Sequence, residues 1–97
     1  MKLRFTPRAT ADLIAIADYI RVRNPSASLR VRAAILDSLR TLVLFPEAGR
    51  RQKPQGVRKL VTRKYSYLIY YTLDPAAAEI VILSIQHSAR EREHEDA

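Results

Sequence analysis

The sequence predicts an α+β fold of element order β-α-α-β-β-β, an N-terminal helix hairpin packed on a small, mainly antiparallel sheet. Apolar residues recur at helical spacing through the first half, and from Val57 onward the period shortens to that of strands. The links between successive elements are short, which makes those elements antiparallel neighbours.

Lys2–Thr6 (KLRFT) alternates polar and apolar side chains and reads as a first strand. From Pro7 to Arg23, Ala9, Leu13, Ile16, Ala17 and Ile20 fall on one helical face. Thr6 suits the N-cap, and Pro7 the first helical position, whose N–H lacks a helical partner anyway. Asn24–Pro25 stops this helix and starts a second, capped by Asn24 or Ser26, that runs to about Leu44 with Val31, Ile35, Leu39 and Leu42 on one face. Two long helices joined this closely pack as an antiparallel hairpin. Phe45–Pro46 ends the hairpin, and PEAGRRQKPQG is a loop. Gly49 is expected to supply the turn after the helix, leaving Arg50 free to point toward the sheet. Val57–Arg63, Ser66–Leu73 and Glu79–Gln86 form a meander, linked through Lys64–Tyr65 and through Asp74–Pro75 with its alanine run.

The last two strands are apolar on both faces. Leu68 and Tyr70 oppose Tyr67, Ile69 and Tyr71, and simple alternation sets Ile80 and Ile82 against Val81, Leu83 and Ile85. One helical layer covers one face. Either the sheet curls over its second face, or a partner segment covers it.

Ninety-seven residues suit one domain, read as residues 1–88 followed by a charged tail, 89–97. The net charge of +7 divides into +9 before the tail and −2 within it. Residues 50–64 hold Arg50, Arg51, Lys53, Arg58, Lys59, Arg63 and Lys64 with no acidic side chain. Such a field attracts polyanions, whether nucleic acid or an acidic protein segment. A solvated basic face with no dedicated partner is the alternative. Without cysteine there is no disulfide, thiolate zinc site or cysteine nucleophile, and a reducing, cytoplasmic location is expected. MKLRFTPRATADL is not a signal peptide, and the least charged stretch, Tyr65–Leu73, is too short to cross a bilayer, so no membrane partner is expected. Two glycines, Gly49 and Gly56, do not make a phosphate loop, and His87 and His94 do not make a zinc site, so neither cofactor nor metal is expected.

His87, where the last strand runs out, suits an acid or base, or else a strand-end side chain bonded to backbone. Arg90 offers a planar fork for phosphate or carboxylate, or is simply solvated. Tyr65, Tyr67, Tyr70 and Tyr71 alternate with basic residues, as base-stacking platforms do, although strand tyrosines are more often half-buried core.

TPRATADLIAIADYI after a first strand, then FPEAGR, VRKLVTRKYSYLIYY and IVILSIQHSAR, together resemble ParE-type members of the RelE/ParE toxin superfamily over essentially the whole chain. The resemblance implies a toxin held inactive, as a hetero-oligomer, by a cognate antitoxin that drapes a disordered segment over the helix-hairpin/sheet groove. It also implies an activity of one of two kinds. ParE-like members inhibit DNA gyrase by binding, whereas RelE-like members cut mRNA on the ribosome. In the second case Arg58 and Arg63 would stabilise charge and His87 would move a proton, but no tyrosine follows His87, and Gln52 stands where some relatives carry a carboxylate. The long helices favour the ParE branch and an activity without bond chemistry. Target or antitoxin contacts are expected at Arg50, Arg58, Lys59, Arg63, Lys64, His87 and Arg90. A non-toxic basic binding module is the remaining alternative.

Overall fold

A computed structural model describes residues 1–89. Its elements are β1 (Lys2–Phe5), α1 (Pro7–Arg23), α2 (Pro25–Leu44), β2 (Arg50–Arg51), β3 (Val57–Val61), β4 (Tyr67–Asp74) and β5 (Glu79–His87). The caps follow the sequence. Thr6 accepts from the Ala9 N–H and Asn24 from the Ala27 N–H, each with proline in the first helical turn. Asn24 also closes α1, its N–H donating to the Ile20 carbonyl. Arg23 caps the other end of the α1 dipole, donating to the Tyr19 carbonyl while its guanidinium lies 3.6 Å from the Tyr19 ring centroid.

The strands form one sheet in the order β1-β5-β4-β3-β2. The β2–β3, β3–β4 and β4–β5 pairs are antiparallel, and β1 lies parallel to β5. The two-residue β2, inside the predicted loop, escapes a period-based reading because two residues carry no alternation. Val57 extends only to Val61 in β3, since Thr62 begins the turn.

Both helices lie on one face. Val31, Ile35, Leu39 and Leu42 of α2 and Ala9 of α1 pack against Tyr67, Ile69 and Tyr71 of β4 and Ile80, Ile82 and Ile85 of β5. The predicted faces of β4 are those observed; that of Ile85 is not. Tyr70 pairs with Ser84 while Tyr71 pairs with Ile82, so Leu83 has no register partner and the strand carries a bulge. The extra residue returns Ile85 to the core and keeps Ser84 off it. Strict alternation would have turned Ser84 and Gln86 toward the helices instead, and a one-residue slip exchanges the faces of all that follows. The second face is uneven: Leu68 is 3% exposed, whereas its register partner Val61 is 51% exposed. No described helix is long and apolar enough to cross a membrane.

Candidate functional site

Three of the sequence pieces meet at one place. The buried Tyr71 phenol accepts from the Gly49 N–H at 2.8 Å and donates to the Pro46 carbonyl at 2.8 Å. A Cβ on Gly49 would stand 2.6 Å from Tyr71 Cε1 and 2.7 Å from its oxygen. Gly49 is therefore required by the close passage of a ring. The expected turn role is not what holds it, because among the described glycines only Gly56 has a positive φ. Arg58 lies opposite Tyr71 on the helix side and donates to the carbonyls of Glu47 (3.2 Å) and Gly49 (2.9 Å). Burial raises the Tyr71 pKa, opposed by the Gly49 N–H and by Arg58. FPEAGR, VRK and IYY thus meet in one contact in which each holds the others. Arg58 is engaged in that contact.

The rest of the basic stretch divides by face and by end. Arg50 pairs with Lys59, Lys59 with Tyr70 and Tyr70 with Ser84, a row across the sheet face away from the helices. Like charges directly opposite one another, as Arg50 and Lys59 are, oppose pairing, so this row favours an anion. Arg63 and Lys64 stand at the β3–β4 turn, exposed. Thr62 closes that turn: its hydroxyl donates to the Lys64 carbonyl at 2.6 Å and accepts from the Tyr67 N–H at 3.0 Å. Tyr65 and Ser66 both take left-handed backbone, with φ of 69° and 54°, in a turn without glycine. Such strain persists where the surroundings impose it, and it gathers at functional sites.

The end of β5 reaches the same turn, through Ser88 N–H donating to the Ser66 carbonyl at 2.9 Å. The exposed His87 ring meets Tyr67 edge-on at 5.3 Å, and its Nδ1 accepts from the Ala89 N–H at 3.2 Å. Burial, then neighbouring Tyr19, raises the Tyr67 pKa. Arg63, Lys64 and His87 therefore share one end of the sheet, and Arg58 sits at the far end of β3 facing the helices. Arg90 lies outside the described residues. Tyr67 and Tyr71 are core, Tyr70 is half-buried, and Tyr65 is 39% exposed.

A groove of about 890 Å³ runs between α2 and β3. Ala33, Ala34 and Ser38 line one wall and Leu60 and Val61 the other, with Arg30, Arg63 and Lys64 also lining it beside Asp37, whose charge is matched by Arg40. β2 covers only Arg58 and Lys59, so the Leu60–Val61 edge has no neighbouring strand among the described residues. Such an edge accepts an added strand.

Residues 3–92 match the family model described as the ParE toxin of the type II toxin–antitoxin system, parDE. The chain belongs to the ParE toxin family. It is 35% identical over 86 residues to toxin RelE2 of Caulobacter vibrioides, covering 89% of this chain and 93% of that one. Among solved structures it is similar to the chromosomal ParDE system of P. aeruginosa, with TM-score 0.76 and 31% identity over 90% of this chain and 95% of the other. The intact E. coli RelBE toxin–antitoxin complex, at TM-score 0.63 and 17% identity, covers 90% of this chain and 95% of its own and shares the fold. Family membership gives the Tyr71–Gly49–Arg58 contact a setting: it holds the scaffold on which the toxin presents its outer surfaces.

Proposed function

We propose that this toxin arrests growth by binding DNA gyrase through the sheet end carrying Arg63, Lys64 and His87. Cleaving RNA requires a base, an acid and a charge stabiliser within hydrogen-bond reach of one phosphate. The observation that carries the binding reading is that Arg58, Arg63 and His87 do not meet. Arg58 serves the loop, and Arg63 and His87 stand at the opposite end of β3. Purified toxin is expected to inhibit supercoiling by gyrase; no inhibition at large molar excess overturns the reading.

The cognate antitoxin fits the α2–β3 groove. The free Leu60–Val61 edge suits an extended segment, the small side chains of α2 leave it room, and Arg30, Arg63 and Lys64 suit acidic residues on it. A second cleft, of about 350 Å³ between α1 and α2, is lined by apolar side chains with Ser28 and Arg32, so it presents one cation where the groove presents three. The toxin and antitoxin form a hetero-oligomer, and Arg63→Glu is expected to weaken it.

Ribosome-dependent cleavage of mRNA is the second reading, favoured by the Arg50–Lys59–Tyr70 row. It predicts codon-positioned cuts in mRNA after induction. Growth arrest with intact mRNA removes it.

A further inference from the structure

We propose that Thr6 and Asp12, at the start of α1, are positioning residues that hold the end of β5, and with it His87, on the helix side of the sheet. β1 supports β5 only as far as Phe5↔Ile82, followed by the Thr6 N–H donating to the Ile82 carbonyl. Beyond that point β5 still has five residues to run, and β1 has already turned into a helix. Two side chains continue where the backbone stops. The Thr6 hydroxyl donates to the Leu83 carbonyl at 2.9 Å, and Asp12 Oδ2 accepts from the Ile85 N–H at 2.9 Å.

These two bonds bracket the bulge. Without them Leu83 and Ile85 would present an unpaired carbonyl and N–H at the edge where the strand is already irregular. The bulge decides which way everything after it faces. With the extra residue in place, His87 pairs with Tyr67 and meets its ring on the helix side, while Gln86 pairs with Leu68 on the other face. Asp12 lies within α1, beyond the capping turn, and has no basic partner in a salt bridge among the described residues. The strand amide is its work. Thr6 serves twice, since the same hydroxyl oxygen accepts from the Ala9 N–H as N-cap.

The functional part of this inference rests on the reading that the His87 end contacts the target; the geometric part does not. The full-length toxin carrying Asp12→Ala tests both. Hydrogen exchange at the Ile85 amide should accelerate roughly 10- to 100-fold, the factor expected for losing a bond to a carboxylate. The Tyr67–His87 ring contact, read by nuclear Overhauser effects, should disappear, and growth arrest should weaken while antitoxin still binds. Asp12→Asn keeps an oxygen acceptor and should restore the ring contact and most of the toxicity, which also separates positioning from loss of folding. Unchanged Ile85 protection and ring contact in Asp12→Ala overturn the positioning role. A lost ring contact with full growth arrest upholds it and overturns His87 as part of the target surface.

Discussion

The two ends of β3 carry similar side chains in opposite circumstances. At its start Arg58 is half-buried, bonded to two carbonyls and tied through Gly49 to a phenol that is itself fully bonded. Past its end, Arg63 and Lys64 are exposed on a turn whose backbone is strained. One run of cations in the sequence therefore contains both kinds: one holds the molecule together, the other stands exposed to solvent. Charge density alone does not distinguish them. What separates them is whether backbone carbonyls stand within reach of the guanidinium.

This contrast is most easily broken at Gly49. Gly49→Ala should cost about 2–4 kcal/mol in urea unfolding, because the new methyl must displace a tyrosine ring packed against backbone. A cost under about 1 kcal/mol would mean that the loop yields freely and that the two ends differ less than stated.

Tyr71→Phe should cost about 2 kcal/mol, leaving the buried Gly49 N–H and the part-buried Pro46 carbonyl without their partner. It should also change the alkaline limb of stability. The folded-state pKa of Tyr71 is raised, so its contribution is fully present below the ordinary tyrosine value and is lost as pH rises through the higher folded value. Thermal melts above about pH 10 should fall more steeply for the native toxin than for Tyr71→Phe, with Tyr67 supplying the residual slope.

At the other end, replacing Arg63 and Lys64 together by glutamine should change stability by less than about 0.5 kcal/mol. The same change should weaken antitoxin binding about tenfold or more and flatten its dependence on salt. Titration calorimetry at two ionic strengths reads both. The smallest effect is expected at Ser66, where Ser66→Gly removes left-handed strain and should stabilise the toxin by about 0.5–1 kcal/mol without altering the core.

Much of the fold was legible in the residues because long periodic segments, paired caps and short links all agree. The apolar stripe of α2 and the two faces of β4 are as the spacing predicts, and in α1 all of the predicted stripe but the exposed Ala17 packs on the core. The exceptions are places where a long-range bond overrides a local pattern. Ile85 faces the helices because Thr6 and Asp12, more than seventy residues earlier, support a bulge. The break has a mark in the sequence at Leu83–Ser84, where strict alternation would turn a serine toward the helices. The site was less legible. The cluster of Arg63, Lys64 and His87 follows from strand register, and the withdrawal of Arg58 follows from a loop whose path no local propensity encodes. Gly49 matters for its lack of volume, which a turn-forming motif in the sequence does not reveal.

The parallel pairing of β1 with β5 has a consequence in time. β5 lies between β1 and β4, and it brings Ile80, Ile82 and Ile85 to the core. As the chain leaves the ribosome, β1 and both helices emerge before the strand that must bind them. Until residues 79–87 arrive, β1 has no sheet to join and the helix hairpin has little to cover. The sheet therefore closes only when residues 79–87 have emerged, and its last-made strand is the one that joins its first.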